Sequence, residues 1–125
     1  MLHVRIETPC HPTETPEAVS SALWNLFPDA QITVQEGRLV GTTDRLERFR
    51  ERIRGQRIRD TARHQLLSGR RGNRATVSLS KQAAAVGVVN FAVGGPLGDI
   101  LVEIESDDLA AVIDFLAEST VNGRA

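Results

Sequence analysis

The sequence predicts an α+β domain: a largely antiparallel sheet with helices packed on one face, in the order β-α-β-β-α-α-β-β-β-α. Three observations carry that reading. Apolar and polar residues alternate in six short runs, the period of half-buried strands. Four other runs repeat their apolar residues at i, i+3 and i+4, the period of amphipathic helices. The helices fall between runs of strands, which suits a layer of helices on an antiparallel sheet.

The elements follow in order. Leu2, Val4 and Ile6 alternate with His3, Arg5 and Glu7, giving a first strand. Pro9, Pro12 and Pro16 turn the chain; Thr15 suits a helix cap and Pro16 the first helical position. Val19, Ala22, Leu23 and Leu26 form the buried stripe of that helix, which Pro28 ends. Ala30, Ile32 and Val34 mark a second strand, and Glu36-Gly37 turns into a third over Arg38 to Thr42. Asp44 and Glu47 have capping-box spacing ahead of a helix whose core face is Leu46, Phe49 and Ile53. Arg45, Arg48 and Arg52 flank that stripe on one side and Arg50 and Arg54 on the other. Gly55 breaks the helix, and another starts near Arg57 with Ile58, Ala62 and Leu66 inward. Gly69 and Gly72-Asn73 turn the chain out of it. Arg74 to Ser80 alternates as a strand, Lys81 to Ala85 reads as a turn or bulge, and Val86 to Val93 reads as another strand. Gly94 to Gly98 is a reversal before the strand of Ile100, Val102 and Ile104. Asp107 or Asp108 caps a last helix built on Leu109, Val112, Ile113 and Leu116. One domain over residues 1–117 and a polar tail over 118–125 are expected.

Bulk properties narrow the function classes. A chain of 125 residues fits one domain, and 41% apolar with 25% charged residues is ordinary for a soluble globular protein. The single cysteine, Cys10, has no internal disulfide partner, which suits a reducing, cytoplasmic setting. No signal peptide and no membrane-length apolar run are read. Charge is segregated: eleven arginines between Arg45 and Arg74 face only Glu47, Glu51 and Asp60, a local charge of +8 in a chain of net -1. Such clustering points to a polyanion, because Lys and Arg that neutralise phosphates release counterions. Arg also bonds phosphate oxygens in a bidentate way. The competing reading is a solvated helical face, with Glu47 placed to pair with Arg50 and Glu51 with Arg54. Arg59, Arg63, Arg70, Arg71 and Arg74 have fewer acidic neighbours.

Other constellations carry less. There is no Tyr, and Phe49 and Phe115 lie on or near core faces, so base-by-base stacking is disfavoured against backbone or shape recognition of structured RNA. Trp24 projects away from its helix's apolar stripe, as rim packing or as part of a protein interface. Cys10-His11 are adjacent and do not aim at one centre, and His3 and His64 have no ligand spacing, so neither metal nor cofactor is expected. The Gly-Gly-Pro-Leu-Gly run lacks the Lys-Ser/Thr of a phosphate loop. No nucleophile–base–acid set is evident.

Several segments share a family character: His11 to Thr15 (HPTET), Leu26 to Ala30 (LFPDA), Gly55 to Arg63 (GQRIRDTAR), Lys81 to Phe91 (KQAAAVGVVNF) and Pro96 to Ile100 (PLGDI). In these the chain resembles an archaeal family of uncharacterised proteins labelled predicted RNA-binding proteins or predicted exosome subunits. The resemblance implies an α+β fold like that of the ribosomal large-subunit protein that binds the small ribosomal RNA there. It also implies a cytoplasmic setting. It raises the weight of Arg57, Arg63, Lys81, Gln82 and Asn90, which lie in matching segments. Val88 departs from the family pattern, which commonly has Lys or Arg there.

The resulting expectation is a non-catalytic RNA-binding protein. Arg57, Arg63, Arg70, Arg71, Arg74 and Lys81 would contact phosphates, and Gln82 and Asn90 would bond sugars or bases. The alternative is a protein-interaction or assembly module, including a homodimer docked through its opposed charge blocks.

Overall fold

A computed structural model describes residues 1–119 of the chain. Six strands and five helices follow in the order β1 (Leu2–Pro9), α1 (Pro16–Leu26), β2 (Gln31–Gln35), β3 (Arg38–Thr43), α2 (Glu47–Gly55), α3 (Arg59–Ser68), β4 (Arg70–Arg71), β5 (Arg74–Ser80), α4 (Lys81–Ala84), β6 (Asp99–Ser106) and α5 (Leu109–Leu116). The strands form one open sheet in the order β2-β3-β1-β6-β5-β4, with every neighbour antiparallel. Val4 and Ile6 of β1, Leu39 of β3, Ala75, Val77 and Leu79 of β5, and Ile100, Val102 and Ile104 of β6 all point to one face. Period-two alternation puts them there, and α1, α2, α3 and α5 cover them. Phe27 after α1 stacks on Phe49 of α2 at 5.1 Å between ring centres, joining the helices over the sheet.

The order of elements is the one the sequence predicts, with the one-turn helix α4 added. Two segments have changed roles. Val86–Val93 makes no ladder, and β5 pairs directly with β6 instead, from Arg74↔Glu105 to Ser80↔Asp99. The backbone N–H groups of Val86, Gly87 and Val88 close back onto the carbonyls of Ala83 and Ala84. The Gln56 side-chain amide then bonds both the N–H and the C=O of Val89, at 2.8 Å each. The segment is thus held by backbone bonds to α4, by the Ser80 N–H on the Asn90 carbonyl and by the Gln56 amide, where a strand ladder was expected. The sixth strand is the two-residue β4, which pairs with the start of β5.

Helix starts also differ from expectation. Thr15 and Asp108 cap α1 and α5 as their chemistry suggests, accepting from Ala18 N and Ala111 N. Asp44 does not cap α2. The Arg45 N–H goes to Thr43 Oγ1 at 3.1 Å, and α2 begins only at Glu47, with no side-chain cap. Arg57 stands between α2 and α3 at φ 60°, a left-handed conformation that separates the two helices.

Gly69, at the end of α3, lies against β5: a Cβ there would sit 1.9 Å from the Thr76 carbonyl oxygen. Gly72, at φ 63°, faces open space. Gly69→Ala is therefore expected to destabilise the fold by about 2–3 kcal/mol through overpacking against backbone. Gly72→Ala should cost only left-handed strain of about 1 kcal/mol. Urea unfolding of both variants checks the contrast.

Candidate nucleic-acid interface

The helices leave the open face of the sheet bare. It carries Arg5, Arg38 and Arg74, but also Glu7, Glu103 and Glu105. Arg5 bonds Glu7 at 2.8 Å and approaches Glu103 at 3.8 Å. Arg38 bonds the other oxygen of Glu7, and Arg74 approaches Glu105 at 3.8 Å. The Arg5 hydrogen bond, opposed by burial and reinforced by Arg38, holds the Glu7 carboxyl below its ordinary value. Cations and carboxylates balance on this face, and none of its strand residues is aromatic. It is neither a cationic groove nor a stacking platform.

The arginines of α2 and α3 have a different environment. Four of them reach the C-terminal end of α5. Arg50 Nε donates to the Phe115 carbonyl at 2.7 Å, and its guanidinium lies 4.9 Å from the centre of the Phe115 ring. Arg63 bonds Asp114 at 2.7 Å and the Ala117 carbonyl at 3.1 Å. Arg54 and Arg59 share one oxygen of Glu118, at 2.6 and 3.0 Å. Cations at a helix C-terminus meet its exposed carbonyls and the negative end of its dipole. The local pairs expected within α2 do not form: Arg50 and Arg54 turn to α5, and Glu51 pairs with Arg48 at 3.2 Å.

Between α2 and α3 lies a cleft of about 560 Å³ lined by Arg54, Arg57, Arg59 and Asp60. Arg57 is exposed at its mouth, and its left-handed backbone sets the turn that opens the cleft. The Glu118 carboxylate shared by Arg54 and Arg59 stands where an external anion would bind the same guanidiniums. At the other end of α3, ten residues and about 15 Å away, Arg70, Arg71 and Arg74 are exposed on the β4–β5 hairpin. Arg70 bonds the Gly72 carbonyl, and Arg71 bonds those of Ser68 and Arg70. Neutral carbonyl partners leave the positive charge of those two arginines in place.

The sequence-derived site residues therefore divide. Arg57, Arg70, Arg71 and Arg74 are exposed along one helix and its hairpin. Arg63 lies on the same helix, but its guanidinium holds α5. Lys81 turns inward: it is 5% exposed, and its ammonium donates to Pro9 O at 2.7 Å and to both Glu14 oxygens at 3.0 and 3.2 Å. All three of its donors are satisfied, so none remains for a phosphate. Gln82 is exposed on a separate groove with Thr13, Thr15 and Leu97. Asn90 accepts from Ala92 N and shapes its own loop. Sequence reasoning missed Arg54 as a cleft residue and Glu118 as its partner. Sixty-four residues separate them, and no local pattern links them.

A family described as RNA binding matches residues 3–106. A protein from Archaeoglobus fulgidus named "UPF0200/UPF0201 protein" is 39% identical over 98% of this chain, and the chain spans 39% of that longer relative. The "UPF0201 protein" of Methanothermobacter thermautotrophicus is 42% identical, over 91% of this chain and 89% of its own. The solved structure of the UPF0201 protein from Methanococcus jannaschii matches with a TM-score of 0.87 at 36% identity, over 92% of this chain and 98% of that one.

The buried Lys81–Glu14 pair is testable apart from any ligand. Burial pushes the Glu14 carboxyl up. Hydrogen bonds from the His11 backbone and from Lys81, with the Lys81 charge, outweigh that and lower it below 4.5. Lys81→Met strands a buried carboxylate and should cost about 3–5 kcal/mol at neutral pH. A lowered carboxyl contributes stability above its unfolded value, and that contribution is lost as pH falls through the folded value. Without Lys81, burial raises the Glu14 carboxyl, so the gap between wild type and variant in urea melts is full where both carboxyls are ionised and narrows as pH falls through the variant's raised value towards the wild type's lowered one.

Proposed function

The chain belongs to the archaeal UPF0201 proteins and to the family described as RNA binding, and from that premise we propose that it binds RNA by its phosphates, along α3. The contacts run from the α2–α3 cleft, through Arg57 with Arg54 and Arg59, to the hairpin arginines Arg70 and Arg71, while Arg74 faces Glu105 on the open side of the sheet. The observation that carries this reading is the cleft, where three guanidiniums converge and two of them already hold a carboxylate. An RNA phosphodiester carries the same single charge on two non-bridging oxygens, so it accepts the paired N–H donors of a guanidinium as the carboxylate does. The about 15 Å length of α3 suits contacts to separated phosphates rather than to one nucleotide. Gln82 and Asn90 remain outside this contact line. Recognition is of backbone and shape, since the exposed aromatics, Trp24 and Phe115, are each engaged: Trp24 Nε1 donates to Ala30 O and the Phe115 ring lies under Arg50. A non-catalytic role, a cytoplasmic place of action, an exosome context and a likeness to the ribosomal protein, all from the sequence, belong to the same proposal. None of the described helices is long and apolar enough to cross a membrane.

Filter binding of a stem-loop RNA over a salt series tests the proposal. Three to five phosphate contacts give log K against log salt a slope of about -2 to -4. Arg57→Ala and Arg71→Ala should each reduce that slope by about 1, across RNA sequences alike. Glu118→Gln, which weakens the internal competitor, should tighten binding several-fold. A flat salt response, or unchanged binding in the arginine variants, refutes the reading.

Arg57 also links function to strain. Arg57→Gly relieves the left-handed backbone and should raise stability by about 0.5–1 kcal/mol after the entropy of glycine is counted. The same change should weaken RNA binding, so thermal melting and filter binding move in opposite directions.

A further inference from the structure

The two edges of the sheet are built differently. One is β4, two residues long, and both residues are arginine. Short length and charge are what keep an edge from pairing with another chain. The opposite edge is β2, Gln31-Ile32-Thr33-Val34-Gln35, in unbroken register with β3 and with no charge, proline or bulge. Its outer row of backbone N–H and C=O groups is a template for another strand.

We infer that β2 pairs with β2 of a second copy of this chain, antiparallel about a two-fold axis at Thr33. The strand reads almost the same in both directions. Pairing centred on Thr33 sets Gln31 against Gln35, Ile32 against Val34 and Thr33 against itself, with like facing like throughout. The faces also agree. Ile32 and Val34 lie on the helix side, opposite Gly41 and Leu39, while Gln31, Thr33 and Gln35 lie on the open side. Within one chain Val34 is 56% exposed on what is elsewhere the core face. Trp24 of α1, 44% exposed, hydrogen-bonds Ala30 beside the same edge. A second copy would cover both, making one twelve-stranded sheet and an isologous interface. A five-residue ladder alone falls short of the roughly 1,000 Å² that specific interfaces bury. The association is therefore reversible on dilution, with Trp24 and Val34 completing it. No ion pair lies at its centre, so salt does not weaken it, unlike docking through opposed charge blocks. This inference stands on the strand and not on the RNA reading.

Analytical ultracentrifugation over a wide range of protein concentration, with native mass spectrometry, tests it. Wild type is expected to show a salt-tolerant monomer–dimer equilibrium. Thr33→Lys and Thr33→Glu each place two like charges face to face on the axis and should be monomeric, with unchanged circular dichroism because Thr33 is exposed. Mixing the two variants should restore association as the Lys–Glu heterodimer. A wild type that stays monomeric, variants that dimerise like wild type, or a mixture that stays monomeric would each overturn the pairing at Thr33.

Discussion

The docking of arginines from α2 and α3 onto the C-terminal end of α5 sets the helix layer. A helix ends with carbonyls that lack intrahelical partners. Here Arg50 and Arg63 satisfy those of Phe115 and Ala117, while Arg54, Arg59 and Arg63 hold Glu118 and Asp114. These contacts join segments more than fifty residues apart and fix α5 across α2 and α3. The guanidinium suits the task, because its planar fork meets a carbonyl and a carboxylate at once. A cluster that looks like a binding surface in the sequence is thus partly a set of interhelical bolts. What remains for a ligand is the cleft these contacts shape and the hairpin beyond them.

Lys81 shows the same chemistry resolved in the opposite way. The chain has fourteen arginines and one lysine, and the lysine is the buried cation. An ammonium has three donors on a compact head, and the Pro9 carbonyl and the two Glu14 oxygens take all three. Glu14 also accepts from the His11 backbone, and the His11 ring bonds the Leu97 carbonyl. The HPTET, KQ and PLG segments meet at this point. The ion pair joins the first two, and the His11 ring joins the third through Leu97. Gln56, in the GQRIRDTAR segment, does similar work by holding Val89.

Much of the fold was legible because its signals are local. Alternation found β1, β2, β3, β5 and β6, and capping chemistry found the starts of α1 and α5 at Thr15 and Asp108. The misreading at Val86–Val93 has a definite origin. Val86, Val88, Val89, Phe91 and Val93 have strand composition, but Val86 and Val93 are exposed and the backbone partners are a helix end, a side-chain amide and the single N–H of Ser80 at the end of β5. Periodicity records which faces are apolar and carries no trace of a glutamine 33 residues away. The candidate site was half legible for the same reason. Charge density marked Arg57, Arg70, Arg71 and Arg74, but only the fold distinguishes a guanidinium bonded to α5 from one facing solvent.

The distribution of charge around the sheet separates two surfaces. On the bare face, Glu7, Glu103 and Glu105 sit among Arg5, Arg38 and Arg74 and cancel them, so a polyanion gains little there. On the helix side, the acids that meet α2 and α3 come from α5 and its following residues, and they engage Arg54, Arg59 and Arg63 while Arg57 stays at the cleft mouth. The arginines of β4 also blunt the sheet edge next to α3, leaving β2 as the edge that can accept a strand. Cationic surface and pairing edge thus lie at opposite ends of the sheet. A partner at β2 would leave the α3 arginines uncovered, so assembly and anion binding do not compete for the same atoms.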